Sequence, residues 1–127
     1  MKIRDDRKEI TIFLNSSEQY KGQILYKLLI DKFIEIGVTG CTILKSNSGY
    51  GTNLKVKFSD DFMSTLISKE STIVLTIIES ENKTEEIIKI LDTYMGDGLV
   101  TIKNVDYIRY TKSVVTKEDI KLADSTQ

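Results

Sequence analysis

Ser71-Thr72-Ile73-Val74-Leu75-Thr76-Ile77-Ile78 is the run from which the fold is read. It is apolar on both faces, which places it as a strand in the middle of a sheet rather than at its edge. Downstream, Asn82 with Glu85 three residues later resembles a capping box. Ile87, Ile88, Leu91, Tyr94 and Met95 then supply the buried stripe of a helix that stops at Gly96. Gly98-Leu99-Val100-Thr101-Ile102 opens a last strand, which continues past a bulge through Val105 to Tyr110. Upstream the same logic holds. Glu9 to Leu14 alternates as a first strand, ended by Asn15-Ser16-Ser17. From Tyr20 to Ile36 the period is helical, with Leu25, Leu28, Leu29, Phe33 and Ile36 on one face and Lys27, Asp31, Lys32 and Glu35 on the other. Gly37 supplies the helix stop, and Thr39–Lys45 is the second strand.

The order is strand–helix–strand twice over. Two such units with right-handed crossovers predict the ferredoxin-like α+β fold, a four-stranded antiparallel sheet with both helices on one face. The opposite face then carries residues such as Ile43, Val74 and Thr76 with nothing from this chain above them. An uncovered sheet face with apolar residues predicts oligomerisation.

Between the second and third strands lies a long connection that opens with Ser46-Asn47-Ser48-Gly49-Tyr50-Gly51-Thr52. A connection of that length in a small domain is more often functional or disordered than idle. Gly49 and Gly51 allow the backbone to approach a ligand or a second chain and leave amides free for an anion. A hairpin tip remains the alternative reading. Leu54-Lys55-Val56-Lys57-Phe58 alternates strictly and could extend a hairpin arm.

Composition narrows the function classes. The chain has 127 residues, 40% hydrophobic and 29% charged, which suits one globular domain. With 18 basic and 19 acidic residues the net charge is −1, so there is no bulk electrostatic case for nucleic acid or an anionic membrane. No apolar run reaches the roughly 20 residues of a membrane span, and the charged start lacks an apolar signal region. The expected location is the cytoplasm. There is no His, which removes the commonest general base and zinc ligand. The single Cys41 reads as a small core residue. No catalytic residue and no metal site are expected. Residues 1–8 read as a flexible N-terminus, 9–112 as the domain with its long segment at about 46–70, and 113–127 as a polar tail.

Three separated pieces resemble the PII-like signalling proteins, relatives of the nitrogen-regulatory PII proteins. They are Tyr26-Lys27-Leu28-Leu29 through Lys45 to Gly49-Tyr50-Gly51, then Ile73 to Glu79 entering a helix, and Gly96-Asp97-Gly98-Leu99-Val100 followed by Val105. The branch that fits best is a small group whose genes often neighbour a fluoride exporter. The resemblance spans roughly residues 9–112. It implies a homotrimer with sheets facing inward, effector sensing in clefts between subunits, and no catalysis. It also implies that the segment from about Ser46 to Glu70 acts as the T-loop, which docks on a target protein such as a membrane transporter or channel. Gly96-Asp97-Gly98 matches the phosphate-contacting B-loop. The effector so implied is nucleotide-like, an adenine nucleotide or a cyclic dinucleotide, and the ligand-binding candidates are Lys45, Gly49, Tyr50, Gly51, Gly96, Gly98 and Arg109. Arg109 would meet phosphate bidentately. Leu99 stands where PII proteins proper carry Lys or Arg, and of their basic C-terminal run only Arg109 and Lys112 remain. The fluoride-linked branch usually has a His in the long loop and a Pro before the third strand; Lys57 or Phe58 and Thr72 stand near those places here. Two other readings fit the same strand–helix order: a ligand-free trimeric scaffold and a small acylphosphatase-type phosphatase. Against the last, the loop Asn15–Tyr20 carries no Arg and no glycine pair.

Overall fold

The structure, a computed structural model, describes residues 1–46 and 71–112. The elements run β1 (Lys2–Asn15), β2 (Gln19–Tyr20), β3 (Gln23–Ile24), α1 (Leu25–Glu35), β4 (Thr42–Ser46), β5 (Thr72–Glu79), α2 (Glu81–Tyr94) and β6 (Leu99–Tyr110). The main sheet has the order β4-β5-β1-β6, antiparallel throughout. With two helices packed on one face this is the ferredoxin-like α+β fold that the element order predicts. The core joins Ile10, Ile12, Leu14, Ile73, Leu75 and Ile77 of the sheet to Leu25, Leu29 and Phe33 of α1 and Ile87 and Leu91 of α2. Burial of these side chains supplies the main driving force.

Helix α1 is buried along Leu25, Leu29 and Phe33, spaced one turn apart. It closes as a Schellman motif: Gly37 N–H donates to Ile34 (3.0 Å) and Val38 N–H to Phe33 (2.9 Å), with Gly37 at φ +89°. The helix starts later than its periodicity suggests. Tyr20-Lys21-Gly22-Gln23 instead turns a two-residue hairpin between β2 and β3, with Lys21 and Gly22 both at positive φ. Helix α2 is capped by Ser80, not Asn82. The Ser80 hydroxyl accepts from Lys83 N–H at 3.2 Å, and the Thr84 hydroxyl donates back to the Ser80 carbonyl at 2.7 Å. Its C-cap, Met95, is extended, so Gly96 does not adopt the left-handed conformation of a helix-stop glycine.

Three expectations are corrected. Residues 1–8 are not loose: Lys2–Lys8 are strand, paired residue for residue with Tyr110–Asn104. Arg4 holds Asp106 with two hydrogen bonds (3.1 and 2.5 Å), and the Met1 amino group donates to the Thr111 carbonyl at 2.8 Å. The last strand carries no bulge, because its pairing with β1 continues without a break from Leu99 to Tyr110. On the uncovered face the register sets Leu44, not Ile43, beside Val74; Ile43 pairs with Leu75, whose side chain points into the core. The tail 113–127 lies outside the described residues.

Candidate functional site

The site residues expected from the sequence fall at two ends of the sheet. At one end the register aligns Lys45, Ile73, Leu14 and Gly98 in a single row, because Lys45 pairs with Ile73, Ile73 with Leu14, and the β1–β6 register leads from Phe13–Leu99 to Leu14–Gly98. Lys45 and Gly98 are therefore at the same end but on opposite edges, three strand gaps or about 14 Å apart. Arg109 is opposite Ile3, at the far end of β6. Eleven residues separate positions 98 and 109, which at a strand's rise is about 36 Å. One chain does not bring Arg109 to Lys45 and Gly98. Gly49, Tyr50 and Gly51 lie outside the described residues.

The end that carries Gly96 and Gly98 is held by hydrogen bonds around Asn15, Ser16 and Ser17. The Asn15 side-chain carbonyl accepts from both Ser17 N–H (2.9 Å) and the Ser17 hydroxyl (2.8 Å). Ser16 N–H donates to the Ser71 carbonyl at 2.8 Å, and Ser71 N–H donates to the Ser16 hydroxyl at 3.0 Å. The point where the chain re-enters β5 is thus tied to the turn after β1. Tyr20 of the small hairpin meets Tyr94 of α2 edge to face, with ring centroids 4.9 Å apart. Gly98 has no room for a side chain: a Cβ there would lie 2.9 Å from the Phe13 carbonyl oxygen and would overlap the Met95 methyl. At Gly96 a Cβ would lie 2.9 Å from the Glu18 carboxylate. At Gly98 close backbone approach, rather than positive φ, is what requires glycine.

The sequence reading missed two charged features. Glu18 against Gly96 is one. The other is at the opposite end, where Arg7 and Glu79 are buried, Glu79 to 1% exposure. The Arg7 guanidinium stands 3.7 Å from Glu79 Oε2 and 3.6 Å from Asp5, and lies 4.6 Å over the Tyr107 ring. Among the described residues Glu79 Oε2 has no hydrogen-bond partner. Loss of water raises the Glu79 carboxyl above the usual carboxylate range, more than backbone hydrogen bonding at Thr39 and Ser80 and the charges of Arg7 and Lys83 lower it. The only sequence signal was a charge at the end of an otherwise apolar strand. Cys41 is half-buried, and burial raises its thiol pKa, which suits a packing role rather than a reactive one. Among the described residues no group of three or more His, Cys, Asp or Glu side chains is placed to hold a metal, and no helix is long and apolar enough to cross a membrane.

A four-stranded antiparallel sheet in the order β4-β5-β1-β6 with two helices on one face defines a ferredoxin-like fold. Solved structures agree. A PII-like signalling protein of Thermus thermophilus superposes with a TM-score of 0.54 at 22% identity, over 82% of this chain and 91% of that one. CPII, a nitrogen regulatory PII-like protein from Thiomonas intermedia K12 solved with ADP, AMP and bicarbonate, does so with a TM-score of 0.58 at 15% identity, over 83% and 98%. Residues 7–107 match the family model of DUF190 (Uncharacterized ACR, COG1993), and the chain belongs to that family. The UPF0166 protein of Aquifex aeolicus (strain VF5) is 28% identical over 104 residues, covering 80% of this chain and 93% of that protein.

Proposed function

We propose that this protein is a non-enzymatic signalling regulator. It assembles as a homotrimer through the uncovered sheet face and binds an adenine nucleotide where subunits meet. Through the segment at about 46–70 it controls a partner protein, a membrane transporter or channel being one candidate. The observation that carries this reading is the alignment of Lys45 and Gly98 at one end of the sheet, next to the point where the long segment leaves and rejoins the core. Lys45 supplies charge, and the amides around Gly96 and Gly98 supply donors. Arg109 and the face bearing Phe13, Leu44, Val74 and Leu99 are where a second copy adds its part. The relative CPII was solved bound to ADP and AMP, which makes adenine nucleotides the first ligands to try. Switching requires that the nucleotide contact one arrangement of the long segment better than the others, so that binding shifts the population.

The test is a thermal-shift titration of the full chain with AMP, ADP, ATP and cyclic di-AMP, alongside its mass in solution. Ligand at about 100 times its dissociation constant adds roughly 2.7 kcal/mol of native-state stability. A shift abolished by Arg109→Ala, with unchanged ligand-free melting, supports the reading. A trimer that no nucleotide stabilises overturns the sensor and leaves a scaffold.

A further inference from the structure

The Gly96-Asp97-Gly98 turn is not bare in the ligand-free chain. The Glu18 carboxylate lies so close to Gly96 that a Cβ on that glycine would meet it at 2.9 Å. Glu18 N–H donates to the Asn15 carbonyl at 3.1 Å, and the Glu18 carbonyl accepts from Leu25 N–H at 2.8 Å, so its backbone is held on both sides. The Tyr20–Tyr94 contact, two residues further on, fastens the hairpin to the end of α2, immediately before the turn. The flanks of the turn are also rich in acceptors. Asp97 sits between the glycines, and the Phe13 carbonyl oxygen lies against Gly98 on the other side. The residue that follows the turn is the uncharged Leu99, and Lys45 is three strands away.

We propose that the Glu18 carboxylate is a resident anion on the Gly96-Asp97-Gly98 turn, holding it closed to phosphate until a ligand displaces it. This rests on the nucleotide reading above and sharpens it. Glu18 takes the place a phosphate would take, so it sets both the affinity and the charge preference of the site. Its repulsion is short-ranged at physiological salt, where charges separated by more than about 8 Å are largely screened. A ligand with more phosphate charge therefore loses more by competing with it.

The experiment compares wild type, Glu18→Gln and Glu18→Ala by calorimetric titration with AMP, ADP and ATP, and by amide chemical shifts of Gly96, Asp97 and Gly98 during titration with inorganic phosphate. Glu18→Gln keeps the volume and removes the charge, and Glu18→Ala removes both; the melting temperature of each is recorded first. The expected result is ADP binding about fivefold or more tighter in both variants, from removal of a nearby like charge. The gain for ATP should exceed that for AMP and shrink in high salt. Equal or weaker binding in both folded variants overturns the proposal. If no nucleotide binds any form, the nucleotide reading fails, and the phosphate titration decides the matter alone. Shifts of the turn amides in the variants but not in wild type then support the resident carboxylate, and their absence overturns it.

Discussion

On one face of the sheet Ile10, Ile12, Ile73, Leu75 and Ile77 are at most 2% exposed; on the other, Phe13 and Val74 are half-buried and Leu44 and Leu99 are each 59% exposed. The four strands are the same. The difference is that α1 and α2 both pack on the first face, since their crossovers share one hand. The second face mixes an apolar row (Leu44, Val74, Phe13, Leu99) with a threonine row (Thr42, Thr76, Thr11, Thr101) and a Glu9–Lys103 ion pair at 3.0 Å. Such a surface can stay in water or be covered by a second chain. One face commits the fold, and the other is available for association.

The covered face is where a single substitution costs most. Leu75→Ala should cost about 3 to 4 kcal/mol by removing methyl groups from a filled core. Denaturant unfolding would show the loss unchanged by protein concentration.

Arg7→Met should cost about 3 kcal/mol, because Glu79 would be left as a buried charge without its cation. The companion change Glu79→Leu in the same chain should restore most of that. Acid supplies the sign test. Burial raises the native Glu79 carboxyl above its unfolded value, so the native chain holds that proton more tightly. Its contribution to stability is full below the ordinary carboxylate range and declines as pH climbs through the raised native value. Without Arg7 the carboxyl rises further, and the gap between Arg7→Met and wild type should narrow as pH falls. A gap independent of pH, in urea melts run from acid to neutral, would count against a charge-based cost.

The open face responds differently. Val74→Lys should change the unfolding free energy of an isolated chain by less than about 1 kcal/mol, since the site is not filled by core neighbours. By sedimentation it should nonetheless dissociate any oligomer. A large stability loss with the assembly intact would show that the two faces are not distinct in the way described.

Smaller still, Ser80→Ala should cost about 1 kcal/mol through loss of the α2 cap. The same change at Asn82, which caps nothing, should be nearly silent. A thermal melt of the pair separates the two positions.

Local spacing marks the buried stripe of each helix and the central strand, though not where α1 begins or which residue caps α2. Leu25, Leu29 and Phe33 recur at a turn of helix, Gly37 stops α1, and Ile73–Ile78 is apolar on both sides, all interactions within a few residues. Gly98 was legible as special, though for another reason: the Phe13 carbonyl, not φ, excludes a side chain there. Only tertiary structure decided the rest. Lys2–Lys8 are charged and lack a strong pattern, yet they become strand because β6, about a hundred residues away, offers a continuous ladder. Leu44 replaces Ile43 on the open face because register is set between strands, and a shift of one residue exchanges the faces. The burial of Arg7 beside Glu79 and the place of Glu18 on Gly96 have the same origin. Each depends on segments distant in the chain that meet only after the sheet has formed, so no local period could encode them.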